Sequence, residues 1–287
     1  MPKKIKVAAI CMNSTSDKSK NVQTALSMIE VAAKAGADWI QIPEMFAFHG
    51  PYDRVYEMAE TEKGPIIAEM KTLAKKYQVV IIAGSMGEKP DENKDADPAH
   101  LNRNGHRRVY NTTFIIDRSG TVIARYRKTH LFNLINDDGA PLYCESDGYL
   151  EGSSLVRTEI DGYHVGLSIC YDLRFPSLYS KLTESHPIDV LLAPSAFTKS
   201  TGTAHWELLL RARAIESQCY VFAANQVGEH SPGKESFGHS MIVSPWGEVL
   251  ANTGAEVGIA YADISPEVIA STRARLPVLK NKRRELY

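Results

Sequence analysis

The chain has no apolar run of 18 residues, no Cys-x-x-Cys pair, no internal repeat and no surplus of charge of either sign. Each absence removes a class of protein. Without a long apolar run there is no candidate membrane-spanning helix, and Met1-Pro2-Lys3-Lys4 leads into the short strand-like stretch Ile5 to Met12, not into a signal h-region. The expectation is a cytoplasmic protein with no membrane partner. Lys and Arg number 33 against 34 Asp and Glu, so no global field draws the chain to nucleic acid, and a small-molecule partner fits better. Cysteine is scarce: Cys11, Cys144, Cys170 and Cys219 are far apart, which excludes a zinc knuckle, and 287 residues do not need a disulfide scaffold. Each cysteine is therefore either core filler or a nucleophile.

What is present is apolar material, 44% of the residues, with 23% charged, enough for a large core in one domain spanning residues 1–287. Short β-rich runs alternate with amphipathic patterns, as in βαβ units. Strands are predicted at Ile5 to Met12, Ala37 to Ile42, Val79 to Ala83, Val109 to Asp117 and Val122 to Tyr126, with helices from Asn21 to Gly36 and from Pro65 to about Gln78. Lys89 to Arg108 is polar and aperiodic and reads as a surface excursion. Periodicity fails again from Lys128 to Ser154, which reads as a long irregular loop, the kind that more often carries function. Later strands are predicted at His164 to Cys170, Asp189 to Ala193, Tyr220 to Ala224, Ser240 to Val243 and Gly258 to Ile264. Helices are predicted at about Phe175 to Glu184 and Ala204 to Gln218. In the latter, Trp206, Leu209, Leu210 and Arg213 form one packing face.

Three positions invite chemistry. Cys170 ends the apolar run Val165 to Ile169 and precedes polar Tyr171-Asp172-Leu173-Arg174, a strand-to-elbow position at which the next N–H can bind an oxyanion. By residue type alone a buried structural cysteine is the commoner case, and the local context brings the two readings level. Glu44 follows Pro43 at the end of a strand, where a carboxylate can act as a general base or simply be a solvated loop residue. Lys128, after Arg125-Tyr126-Arg127, reads alone as a surface lysine. His130, His164, His205 and His239 lack ligand spacing on one helix, so no metal is expected.

Spacing does not unite residues so far apart, but a resemblance does. The blocks Ile42-Pro43-Glu44-Met45-Phe46, Tyr126-Arg127-Lys128-Thr129-His130-Leu131-Phe132 and Gly166 to Pro176 around Cys170 resemble the Glu, Lys and Cys motifs of the nitrilase superfamily, in that family's order. Tyr171-Asp172 stands where nitrilases proper usually carry Trp-Glu, so the cysteine block is similar to amidase branches. Ala193 to Thr198, Ala204 to Glu216, Phe237 to Met241, Pro245-Trp246-Gly247 and Arg283 to Tyr287 resemble the deaminated glutathione amidase branch, while Asn133 to Asp138 departs from it.

The resemblance implies a four-layer αββα sandwich in one domain, a homodimer or higher homo-oligomer, no cofactor, and hydrolysis of a small acidic amide through a Cys170 thioester. It implies Glu44 as base, Lys128 as oxyanion stabiliser and Glu145 as a second glutamate that positions substrate or Lys128. Tyr171, Arg174, Phe197 and Thr198 are the expected substrate contacts, with Arg174 gripping a carboxylate. Beside it stand, as other enzymes, an ω-amidase acting on short dicarboxylate monoamides or an N-carbamoyl amide hydrolase and, from a different class, a catalytically silent binding protein on the same scaffold.

Overall fold

A computed structural model describes residues 2–90, 98–135 and 138–286. In chain order the elements of its first half are β1 (Ile5–Cys11), α1 (Lys18–Lys34), β2 (Trp39–Gln41), α2 (Val55–Met58), α3 (Pro65–Tyr77) and β3 (Val80–Glu88). After these come β4 (Val109–Ile116), β5 (Val122–Arg127), β6 (Asn133–Ile135), β7 (Pro141–Cys144) and β8 (Tyr149–Leu150). The second half contains β9 (Arg157–Ile160), β10 (Tyr163–Leu167), α4 (Pro176–Leu182), β11 (Val190–Leu192), α5 (Lys199–Ser217), β12 (Tyr220–Ala223), β13 (Val227–Ser231) and β14 (Lys234–Phe237). It ends with β15 (Met241–Val243), β16 (Val249–Asn252), β17 (Gly258–Ile264), α6 (Pro266–Arg275) and α7 (Val278–Asn281).

Two sheets result, ordered β17-β1-β2-β3-β4-β5 and β16-β15-β12-β11-β10-β9, with β8 added to β4. The centre of each is parallel, β1-β2-β3 and β10-β11-β12, and antiparallel strands extend it. Alternation along each strand builds the layers, because successive side chains leave opposite faces. In β1, Ile5, Val7 and Ala9 join one core with Val165, Leu167 and Val221 of the second sheet, whereas Ala8 and Ile10 join another with Ile29 of α1 and Met70 of α3. On the far side of the second sheet, Leu178 of α4 and Trp206 and Leu210 of α5 complete the first core. The order helices, sheet, sheet, helices is the expected αββα sandwich.

Local differences from the expectation have physical causes. Helix α1 begins three residues early, since Asp17 caps it by accepting from the Lys20 N–H. Helix α5 starts at Lys199, not Ala204, although Gly202 and β-branched neighbours are weak helix formers. Gly202 is required there because a Cβ would lie 2.4 Å from Cβ of Phe237 on β14. The stretch predicted as a long irregular loop after Lys128 instead contains the β6-β7 hairpin, a 3₁₀ turn over Glu145–Asp147 and β8. Within the polar excursion, residues 91–97 lie outside the described residues, as do Asn136 and Asp137 of the divergent segment and Tyr287.

Candidate active site

The parallel strands of both sheets end on the same side, and the chemistry-bearing side chains follow them there. Glu44 comes two residues after Ile42 at the end of β2 and is 1% exposed. The chain turns there because Gly84 lets β3 approach: a Cβ at Gly84 would sit 2.1 Å from the Pro43 carbonyl oxygen. Lys128 leaves the end of β5 and is also 1% exposed, contrary to its reading as a surface lysine. Its carbonyl accepts from Gly152 N–H at 2.8 Å, an approach that again needs glycine, since a Cβ at position 152 would meet the Arg127 carbonyl oxygen at 2.1 Å. Glu145 opens the 3₁₀ turn after β7 and is buried.

These three side chains meet. The Lys128 Nζ donates to Glu44 Oε1 at 2.8 Å and to Glu145 Oε1 and Oε2 at 3.0 and 2.8 Å. Asn111 of β4 donates its amide to Oε1 of both glutamates, at 2.8 and 3.0 Å. The backbone N–H of Ala196, from the loop after β11 of the other sheet, donates to Glu44 Oε2 at 2.7 Å. The backbone N–H of Phe132 donates to Glu145 Oε2 at 2.6 Å. Glu145 thus engages the Lys128 ammonium with both of its oxygens. Burial alone would lower the lysine, but Glu145 and Glu44 outweigh it and hold Lys128 well above the ordinary lysine range. For Glu145 burial, aided by Glu44, exceeds the lowering pull of Lys128, so its carboxyl is raised.

Cys170 faces this cluster from the second sheet. Its φ is +45°, a left-handed conformation that costs a non-glycine residue free energy and marks the strained elbow. The strain is held in place: Cys170 N–H donates to Pro194 O at 3.0 Å, and Asp172, fully buried, accepts from Ile169 N–H at 2.9 Å and from Tyr126 Oη at 2.7 Å. Asp172 also accepts at 3.2 Å from His130 N–H and lies 2.7 Å from His130 Nδ1. One carboxylate therefore ties the turn at Cys170 to the segment that follows Lys128. Arg213 of α5 donates to the Leu173 carbonyl from beneath, at 2.9 and 3.1 Å. At 7% exposure the thiol is more sheltered than an exposed elbow implies, and burial together with the Glu44 carboxylate pushes it well above the ordinary thiol range, against the pull of Lys128. Cys11 and Cys219 are also buried and raised, Cys219 to about 12, but neither faces Glu44 or Lys128.

A cavity of about 180 Å³ opens onto Cys170, Glu44, Lys128 and Glu145. Thr198 borders it, and Tyr171, Arg174 and Phe197 line a smaller recess beside Cys170. The Arg174 guanidinium lies 5.0 Å from the Phe197 ring centre and bonds His205 Nδ1 at 3.2 Å, away from the main cavity. Sequence reading missed other members of the wall: His49, Tyr52, Tyr143, Tyr149 and Lys234. The His49 ring lies against that of His230, with centres 3.9 Å apart and planes tilted by 32°, and burial, the His230 ring and Lys234 keep His49 well below the ordinary histidine range and hence neutral. Of the four histidines weighed as ligands, His130 belongs to Asp172, His205 to Arg174, His239 stacks on Phe237, and His164 is exposed on β10.

The sequence pattern of carbon-nitrogen hydrolases matches residues 6–274. The chain belongs to the carbon-nitrogen hydrolase family. It is 37% identical over 278 residues to a deaminated glutathione amidase of Synechocystis sp. PCC 6803, covering 96% of this chain and 97% of that one. It is also 37% identical to human omega-amidase NIT2, over 98% of this chain and 96% of the relative. Among solved structures, Nit3 of Saccharomyces cerevisiae, a member of branch 10 of the nitrilase superfamily, superposes with a TM-score of 0.83 at 29% identity, covering 98% of this chain and 97% of that one. The protein is a hydrolase acting on amides, and its fold is that of the nitrilase superfamily.

Proposed function

We propose that the chain is one catalytic domain that hydrolyses deaminated glutathione, or an acidic amide close to it, through a thioester on Cys170. The observation that carries the mechanism is the buried triangle of Glu44, Lys128 and Glu145 facing a strained cysteine. The relatives named deaminated glutathione amidase support the substrate.

In this reading Cys170 Sγ attacks the amide carbon while Glu44 takes the thiol proton, because the thiolate is the nucleophile and the resting thiol is held protonated. The carbonyl oxygen becomes an oxyanion. Glu145 chelates one donor of Lys128 with both oxygens and Glu44 takes another, which leaves the third for the developing charge. The Tyr171 N–H, in the first turn of the 3₁₀ helix Cys170–Arg174, supplies the second donor. Collapse expels the amine, which Glu44 protonates. Water then attacks the thioester, gives its proton to Glu44, and the acid leaves as the thiol is restored. Every proton passes through one carboxylate. Arg174 is assigned to a carboxylate on the amine side of the scissile bond, next to the recess it lines with Phe197 and Thr198.

The test is amine or ammonia release from a panel of acidic amides that includes deaminated glutathione and short dicarboxylate monoamides. The highest kcat/KM on deaminated glutathione supports the reading, and a higher value on the short monoamides assigns the chain to ω-amidase chemistry. Absence of turnover on the whole panel, together with absence of thiol alkylation at Cys170, overturns it in favour of a binding protein.

A further inference from the structure

The catalytic triangle is electrostatically unsuited to an anion: two carboxylates, Glu44 and Glu145, share the single ammonium of Lys128. An acidic substrate needs a further cation in the same cavity. Arg174 lines the smaller recess, which shares Cys170, Phe132, Ala196 and Thr198 with the larger cavity, and it is turned towards His205 and the Phe197 ring. The larger cavity, which also holds Glu44, Lys128 and Glu145, has another cation in its wall, Lys234, the first residue of β14. Its Nζ is 5.7 Å from the ring centre of Tyr52 and 5.3 Å from that of Tyr143, and among the described residues it forms no ion pair with a carboxylate. Glu235 beside it is engaged by Lys199, at 2.8 and 3.0 Å. The neighbouring His49 is neutral, so it does not compete for the anion as a second charge.

We propose that Lys234 is the specificity-determining residue that receives a carboxylate on the acyl side of the substrate. The proposal rests on the acidic-amide reading above. The cavity, about 180 Å³, holds roughly six water-sized groups, which matches a short acyl chain with its carbonyl at Cys170 and a carboxylate at its other end on Lys234. Tyr52 and Tyr143 flank the ammonium and keep it pointed inward while shielding it from water, which strengthens its pull on an anion. The two cations thus divide the substrate between them, Lys234 on the acyl side and Arg174 on the amine side.

The experiment compares the monoamide of pentanedioic acid with its uncharged diamide, which have the same length and no amine-side carboxylate. Wild type should favour the monoamide. Lys234→Met should lower that preference about tenfold, mostly through KM, as expected for one charged hydrogen bond in a partly solvated wall. Lys234→Arg should retain most of it, and Arg174→Met should leave the preference standing. An unchanged preference in a Lys234→Met protein with the wild-type melting temperature overturns the proposal, as does its loss in Arg174→Met alone. Equal wild-type turnover of both compounds overturns the Lys234 assignment while the amidase chemistry stands. Turnover of neither compound, nor of any acidic amide, overturns the proposed function and Lys234 with it.

Discussion

Replacing Lys128 by Met removes the one cation shared by Glu44 and Glu145, whose side chains, like that of Lys128, are only 2% exposed. Breaking a buried pair by deleting one partner costs about 3 to 5 kcal/mol, since the remaining charge has no solvent to turn to. Here two carboxylates are stranded side by side. At about 2 to 4 °C per kcal/mol for a domain of this size, the melting temperature should fall by about 10 °C. The pH dependence has a definite sign. In the native protein Lys128 is held well above the ordinary lysine range, so its contribution is complete below the unfolded value, about 10.4, and undiminished from pH 5 to 9. In the variant the lowering pull of Lys128 is gone, so burial and the neighbouring Glu44 raise Glu145 further above its unfolded value of about 4.3, and it takes up a proton as the pH falls. The deficit should therefore be larger at pH 8 than at pH 5. Thermal denaturation at both pH values checks this, and the double variant Lys128→Met/Glu145→Gln should recover part of the loss at pH 8. In parallel, kcat should drop about 10² to 10³-fold with little change in KM, because the lost donor acts on the oxyanion. A melting temperature within 2 °C of wild type, or a larger deficit at pH 5, refutes the electrostatic account of the triangle.

Cys170→Ala should abolish hydrolysis without loss of the folded state, while Ser in place of Cys11, Cys144 or Cys219 preserves turnover; activity surviving in Cys170→Ala would move the nucleophile elsewhere. Glu44→Gln should lose hydrolysis yet make Cys170 easier to alkylate at pH 8, since the Glu44 charge is one of the causes that raise the thiol; slower alkylation in this variant would contradict that coupling. Gly84→Ala should cost activity and stability together, because its Cβ would meet the Pro43 and Ile42 carbonyl oxygens at 2.1 and 2.3 Å and push Glu44 out of place. A Gly84→Ala enzyme with native kinetics would show that this approach can relax.

The succession of strands and helices was legible in the sequence, but the layers came from the resemblance, because the central strands are buried on both faces and read as continuous apolar runs that do not tell one face from the other. What escaped was local. Pro232-Gly233 between β13 and β14 is a turn signal, but the flanking residues are too polar to alternate clearly, and the hairpin carrying Lys234 went unseen. Asp138-Gly139 between β6 and β7 was hidden in the same way. At the site, Glu44, Lys128 and Cys170 were singled out through motif resemblance, whereas Asn111, the third residue of β4 between Tyr110 and Thr112, gives no sequence signal that its amide bridges two glutamates. Asp172 was read as a mark of the branch, and its place in the structure gives that difference a physical content, as the anchor of the elbow.

The triangle also bears on why the fold keeps so much charge in its interior. Three ionisable side chains buried together are a poor device for stability, because apolar residues of the same volume would pack there without desolvation cost. The surrounding structure nevertheless goes to some length to hold them: Ala196 N–H crosses from the other sheet to Glu44, Phe132 N–H and Asn111 brace Glu145, and glycines at 84 and 152 allow the close approaches that aim Glu44 and Lys128. Each of these contacts fixes an orientation, and together they leave Glu44 facing the thiol and Lys128 facing the cavity. Preorganised donors and acceptors of this kind need no rearrangement when charge develops on a substrate, which is where electrostatic catalysis gains most. Under the proposed mechanism the arrangement trades stability for proton transfer, and the trade lies at the ends of the parallel strands, where the two sheets bring residues from opposite halves of the chain within hydrogen-bonding distance.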